Sequence, residues 1–220
     1  MNVSGEGQGP EMTERHISGR SLRIGFDLDG VVYDFRKALS EYLVGAGHPQ
    51  CTVEAARPDW DFFHGWGLSL DEYMDLYRAG VDAGYVLRVG DPLPGVVDAM
   101  RRLTDAGHTI HIVTDRSVGS EPGISAQHTA AWLAEHRFVF NSLTFSSDKT
   151  VVPTDYFIDD RYENYLARKK AGLGCHLLTR TWNVELGDRS TMRVKSVDEF
   201  VQTVLAAGTT LQGLESSRAS

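Results

Sequence analysis

Residues Leu22–Val31 read Leu-Arg-Ile-Gly-Phe-Asp-Leu-Asp-Gly-Val, a short apolar run that ends in two acids. A run of this length, bounded by a turn signal, predicts a buried strand over Leu22–Phe26. Asp27 and Asp29 then stand where the strand leaves the core, and Gly30 allows the chain to turn. In an open α/β sheet, ligands bind outside the carboxyl ends of the strands. Two acids at such an end have an ordinary reading as a solvated turn and a chemical one as a cation or proton-transfer site.

The pattern repeats outward from there. Thr109–Val113, Leu143–Phe145, Tyr156–Ile158 and Cys175–Leu178 read as further strands. Helical spacing marks Gly95–Ala106, which stops at Gly107, then Ala126–Arg137, Arg161–Ala171 and Val197–Ala207. Alternating strands and helices predict an α/β fold, a Rossmann-like parallel sheet flanked by helices, over residues 21–33 and 90–207. One stretch breaks the rhythm. Residues 34–89 carry two helical patterns, Phe35–Val44 and Leu70–Ala79, and the aromatic segment Trp60-Asp61-Phe62-Phe63-His64-Gly65-Trp66. They predict a small helical cap inserted after the first strand. Residues 1–20 are polar and Gly-rich and predict a disordered arm, in which Met12 offers an alternative start. Residues 208–220 predict a flexible tail.

Composition narrows the function classes. Of 220 residues, 41% are hydrophobic and 24% charged, ordinary for a globular domain and unlike a fibrous or disordered chain. Thirty acids against 22 bases give a net charge of −8, which argues against binding long nucleic acids. No run approaches the roughly 20 apolar residues of a membrane helix, and the first residues have no apolar signal core. The two cysteines, Cys51 and Cys175, form no CxxC or Cys/His pattern. A disulfide framework is therefore excluded, and a cytoplasmic setting is expected. A homodimer is compatible with the sequence.

Three more segments carry chemistry. Phe157-Ile158-Asp159-Asp160-Arg161 is a second apolar strand running into paired acids. Four carboxylates converging at two strand ends would repel one another, and a hard cation such as Mg²⁺ resolves this with oxygen ligands. The ordinary alternative is that Asp159 or Asp160 caps the next helix. Val113-Thr114-Asp115-Arg116 is a strand ending in a hydroxyl, and Ser147-Asp148-Lys149-Thr150 places a lysine in a loop. A hydroxyl and an ammonium suit phosphoryl oxygens.

In this order, DxDGV, a strand-terminal Thr, a Lys and a strand-terminal DD, the chain resembles haloacid dehalogenase superfamily phosphohydrolases over Ile24–Arg161. The wording of Asp91–Met100 (DPLPGVVDAM) and Asp148–Arg161 (DKTVVPTDYFIDDR), with the small insertion after DxDGVVYDF, is similar to the 5′(3′)-deoxyribonucleotidase family. The resemblance implies a Mg²⁺-dependent phosphomonoesterase that hydrolyses (deoxy)nucleoside 5′-monophosphates through an aspartyl-phosphate. It implies Asp27 as nucleophile and metal ligand. Asp29 would be the acid and base, lending the metal its backbone carbonyl. Asp160 would be a third ligand, with Asp159 a ligand or an orienting group. Thr114, Asp115 and Lys149 would be the phosphate-binding positions. Phe35 would stack on the base, with Phe62, Phe63 and Trp66 as further cap candidates.

One departure stands out. The family commonly has a small hydroxyl residue after the motif Thr, where this chain has Asp115. An acid at the phosphate pocket must turn away or pair with Arg116. Three other readings stay open at this point. They are a phosphatase for another small phosphorylated metabolite, a non-catalytic nucleotide-binding protein on the same fold, and a phosphatase for DNA ends.

Overall fold

At Gly25 a Cβ would stand 2.1 Å from the Phe157 ring, so glycine is required where β1 (Arg23–Phe26) runs beside β4 (Tyr156–Asp159). The computed structural model describes residues 20–218, with side chains through residue 207. The arm predicted over 1–20 lies outside the described residues except for Arg20. The remaining strands are β2 (Thr109–Thr114), β3 (Ser142–Phe145), β5 (His176–Leu178) and β6 (Arg193–Val194). They form one sheet in the order β3-β2-β1-β4-β5-β6, and every pairing is parallel. Ile24 pairs with Ile110 on one side and Tyr156 on the other. The sequence doubles back at the β1–β4 junction, which is where open α/β sheets leave a crevice.

Both faces of the sheet are covered, so the inner strands are apolar at successive positions rather than alternately. Ile158 faces the larger core cluster, with Phe26, Met100, Leu103 and Phe200. Its neighbour Phe157 faces a smaller one with Tyr165 and Leu177. The helices that close the larger cluster are α3 (Val96–Asp105), α4 (Ile124–Glu135) and α6 (Val197–Arg218); α5 (Tyr162–Lys170) supplies Tyr165 to the smaller. On α3 the buried residues are Val96, Ala99, Met100 and Leu103, an i, i+3, i+4, i+7 stripe.

Between β1 and α3 the chain builds α1 (Phe35–Gly45), a 3₁₀ turn (Phe62–Trp66) and α2 (Leu70–Asp82). Asp34 caps α1 by accepting from the Lys37 N–H at 3.3 Å. Ser69 and Glu72 form a capping box on α2. These elements share their own hydrophobic cluster, including Leu39, Leu43, Phe62, Trp66 and Val81, with Phe35 touching both this cluster and the larger core.

Three features differ from the sequence expectation. α2 runs through Asp82, past Ala79. α6 runs to Arg218, so the stretch expected as a tail is helical up to the last two residues. Gly208 and Gly213 lie inside it, but each interior glycine costs a helix only about 1 kcal/mol. Finally, β6 is a two-residue strand among polar neighbours and has no apolar run to announce it. No helix among the described residues is long and apolar enough to cross a membrane.

Candidate active site

Parallel register brings the strand ends level. Phe26 pairs with Ile112 and Ile158, and the Asp27 N–H donates to the Ile158 carbonyl at 3.1 Å. Asp27 therefore stands between the ends of β2 and β4, at the centre of the sheet. Lys149 reaches it from the loop after β3. Its Nζ donates to Asp27 Oδ1 at 2.8 Å and to the Val113 carbonyl at 2.9 Å, and its side chain is 2% exposed. Arg168, fully buried on α5, holds that loop in place. It donates to the Lys149 carbonyl and to Thr154 Oγ1 (2.7 Å), and its guanidinium lies 4.1 Å from the Phe157 ring centroid.

Asp27, Asp159 and Asp160 converge, each offering an oxygen within 4.8 Å of the others, and all three are buried. Burial pushes the Asp27 carboxyl up against the pull of Lys149, and Asp29 adds to the push. Burial and the charge of Asp27 push Asp159 up to about 7. Asp160 is raised by burial and by both neighbouring acids, with Arg180 opposing. Burial works against the Lys149 ammonium, but Asp27 and Asp159 outweigh it and hold its proton above the ordinary lysine range. Three dry carboxylates with so little positive charge suit a hard divalent cation.

The two DD acids are held differently. Asp159 accepts from the Arg161 N–H (2.8 Å) and from Asn164 Nδ2 on both oxygens (3.2 and 3.0 Å). The Asp160 carboxylate accepts only from Trp182 Nε1, at 3.1 Å on Oδ2, and keeps Oδ1 clear among the described residues. Gly30 lies against it. A Cβ there would stand 2.0 Å from Asp160 Oδ2, and its φ of +75° is one that glycine adopts freely. Thr114 is buried at the end of β2, and its Oγ1 has no hydrogen-bond partner among the described residues. A buried hydroxyl of this kind is costly unless something pairs with it.

Asp29 stands apart from the three converging acids. Arg116, with a side chain 0% exposed, grips its carboxylate through Nε (3.2 and 3.0 Å) and Nη2 (2.6 Å).

Above these groups lies a cavity of about 760 Å³. Phe35, Phe62, Phe63, Tyr73 and Tyr77 give it an aromatic wall. Phe63 stacks on Tyr73 with centroids 4.5 Å apart and planes at 18°, and Phe35 meets Tyr77 edge-on at 5.1 Å. Burial, with the Asp29 charge nearby, keeps the Tyr73 and Tyr77 phenols protonated far above the ordinary range. Wall and floor touch through Arg36, whose guanidinium lies 4.5 Å from the Phe62 centroid and 4.0 Å from that of Trp182.

Of the residues singled out in the sequence, Asp27, Asp29, Asp160, Lys149, Phe35, Phe62 and Phe63 all line the cavity. Asp159 and Thr114 are buried at the strand ends rather than on its wall. Trp66 does not line it. Its ring is buried behind Phe62, 5.2 Å away edge-on, and its Nε1 donates to the Thr52 carbonyl at 2.7 Å. A 3₁₀ turn sends residues 62 and 66 to different surroundings, although both belong to one aromatic segment. Asp115 lines the cavity as an exposed side chain, and of the two outcomes left open for it, pairing with Arg116 does not occur, because Arg116 holds Asp29.

Sequence reasoning missed Tyr73, Tyr77, Arg36, Arg180 and Trp182, all on the cavity wall. Tyr73 and Tyr77 carried a readable signal, two aromatics four apart on one predicted helix face. Arg180 and Trp182 carried none, since they lie in an irregular loop after β5. Arg180 donates to the Gly30 carbonyl at 2.9 and 2.7 Å and so holds the turn after Asp29.

The family model described as 5′ nucleotidase, deoxy (pyrimidine), cytosolic type C protein matches residues 20–210. A curated protein of Chlorobaculum tepidum, named "Putative 5′(3′)-deoxyribonucleotidase", is 28% identical over 159 residues, 71% of this chain and 78% of that one. Among solved structures, a haloacid dehalogenase-like hydrolase from Streptococcus pneumoniae is similar with a TM-score of 0.52 at 18% identity, covering 85% of this chain and 98% of that one. The D,D-heptose 1,7-bisphosphate phosphatase of Burkholderia thailandensis is similar with a TM-score of 0.51 at 14% identity, covering 84% and 99%. At these identities the structural likeness is one of fold.

Proposed function

The chain belongs to the cytosolic type C family of 5′ nucleotidases, phosphoric monoester hydrolases, and from that membership we propose that it hydrolyses (deoxy)nucleoside 5′-monophosphates through a phosphorylated Asp27. Hydrolysis of phosphate monoesters is so slow unaided that enzymes accelerate it by up to about 10²¹-fold. Positioning supplies roughly 7–11 kcal/mol of that. Splitting the reaction through a covalent intermediate supplies more.

In the first half, a carboxylate oxygen of Asp27 attacks phosphorus as the bond to the nucleoside 5′-oxygen breaks. Asp29 gives its proton to that departing oxygen. In the second half, Asp29 takes a proton from water as the water attacks phosphorus. Inorganic phosphate leaves, and the Asp27 carboxylate is restored. Lys149 holds Asp27 in place and pairs with phosphoryl oxygens, and Thr114 Oγ1 donates to one of them. Asp27, Asp160 and the Asp29 main-chain carbonyl would hold Mg²⁺, with Asp159 locked by Asn164 as their orienting neighbour. The ion supplies positive charge against the phosphoryl oxygens and the converging acids. Asp115, exposed where it lines the cavity, offers the anion a backbone N–H but no cation.

The observation that carries the nucleotide reading is the group of aromatic rings that lines one cavity with Asp27 and Lys149. Base stacking on an aromatic ring is worth about 1–3 kcal/mol, and Phe35, Phe63 and Tyr73 offer ring surface for it. A wall built for sugar phosphates would offer hydroxyl partners instead. Turnover with Mg²⁺ across a panel of ribo- and deoxyribonucleoside 5′-monophosphates and sugar phosphates tests this. Nucleotides should be the preferred substrates. Nucleotides left intact while a sugar phosphate is hydrolysed would overturn the reading.

A further inference from the structure

Arg116 is among the largest fully buried side chains of the protein, and none of the nucleotidase chemistry above uses it. Three elements lock it. Its Nη1 donates to Thr129 Oγ1 on α4 at 3.2 Å, its guanidinium lies 4.6 Å from the Tyr33 ring centroid, and Nε with Nη2 grips Asp29. With every nitrogen engaged and no surface exposed, it neither reaches the phosphate nor swings out to Asp115. Its charge is permanent, and the fork matches a carboxylate's two oxygens.

The grip is asymmetric. Asp29 Oδ1 accepts twice, from Nε at 3.2 Å and Nη2 at 2.6 Å, whereas Oδ2 accepts once, from Nε at 3.0 Å. The Asp29 side chain stays 27% exposed and lines the cavity. Oδ2 is thus the oxygen with spare acceptor capacity.

We infer that Arg116 is a positioning residue: its fork anchors Asp29 by Oδ1, keeps that carboxylate out of the Asp27, Asp159 and Asp160 cluster, and presents Oδ2 as the atom that carries the proton to the leaving oxygen. This rests on the reading of Asp29 as the acid. It divides the DxD pair between two cations, Lys149 holding the nucleophile and Arg116 holding the acid.

The test compares a nucleoside 5′-monophosphate with p-nitrophenyl phosphate, whose leaving group departs without a proton. Only kcat/KM is compared, because it reports the steps through release of the alcohol and not the later attack by water. Arg116→Met should lower kcat/KM for the nucleotide by about 100-fold and for the aryl ester by less than about 5-fold, the scale of losing a placed acid. Arg116→Lys keeps the charge but not the fork, and should lower the nucleotide value by about 10-fold with the aryl ester again spared. This variant carries the test if the methionine variant does not fold. In an Asp29→Ala background, Arg116→Met should add nothing to the nucleotide loss.

Equal losses on both substrates in the arginine variants, with Asp29→Ala still selective for the nucleotide, would overturn the inference alone. Such a result would make Arg116 a support for the fold. If Asp29→Ala lowers both substrates equally, Asp29 is not the acid, and both the reading and the inference fall.

Discussion

The floor and the wall of the cavity are made by different physics. Every floor group, Asp27, Thr114, Asp159 and Asp160, sits at the end of a strand whose neighbours fix it through parallel register. Those groups are charged or polar and buried; the three acids are held by Lys149, Asn164 and Trp182, and only the Thr114 hydroxyl has no partner among the described residues. The wall is a set of rings on short separate elements, α1, the 3₁₀ turn and α2, which hold one another by edge and stacking contacts. On the proposed function, the floor would define the bond that is broken, and the wall would select what is attached to it. Damage to the floor should therefore reduce turnover of every phosphate ester alike. Damage to the wall should be felt only by substrates with a base.

The largest effect tests the floor directly. Asp27→Asn removes the proposed nucleophile while keeping its size, and kcat should fall on the order of 10⁴–10⁶-fold for nucleotides and p-nitrophenyl phosphate together. Full Mg²⁺-dependent turnover in that variant would remove Asp27 from its role. Next comes the ion itself. Treatment with EDTA should abolish turnover, and Mg²⁺ restored to about 100 times its Kd should stabilise the fold by about 2.7 kcal/mol. For a chain of this size that is a rise in Tm of roughly 5–10 °C. A Tm indifferent to Mg²⁺ would mean that the three converging acids hold no ion.

The wall is tested on α2. Tyr73→Leu keeps the bulk of an apolar side chain but removes a ring that stacks on Phe63 and lines the cavity. With stacking worth about 1–3 kcal/mol, KM for nucleotides should rise by roughly 5- to 150-fold. KM for p-nitrophenyl phosphate and inhibition by inorganic phosphate should stay where they were. A parallel rise on all of these would mean that the wall supports the floor and does not select the substrate.

The same division explains what could be read from the sequence. A strand end is a local event: LRIGFDLDG announces both the apolar run and the acids that follow it, and FIDDR repeats the signal. Parallel register then brings them together without further instruction. Lys149 was readable only through its place in the order of the four motifs, since a lone loop lysine carries no signal of its own. For Asp115 the sequence left two outcomes open, turning away or pairing with Arg116, and could not show that Arg116, buried under α4, is spent on Asp29. On the wall, sequence pattern marks which residues are aromatic but not which way each ring faces. That depends on how α1, the 3₁₀ turn and α2 pack together, and the packing sends Phe62 and Phe63 to the cavity and Trp66 behind them.

Trp66 therefore provides the finest test, a distinction inside the wall itself. Trp66→Phe keeps an aromatic ring next to Phe62 but loses the Nε1 donor to the Thr52 carbonyl, 2.7 Å away. That carbonyl still accepts from the Ala55 and Ala56 N–H groups at 3.2 Å, so the loss is that of one hydrogen bond, about 1 kcal/mol, a fall in Tm of roughly 2–4 °C. Because the ring backs the wall without reaching the cavity, KM for nucleotides should be unchanged. The opposite pattern, a several-fold rise in KM with no loss of Tm, would put Trp66 against the substrate. It would also mean that the 3₁₀ turn rearranges when the nucleotide binds, so that the wall, unlike the floor, is not set before the substrate arrives.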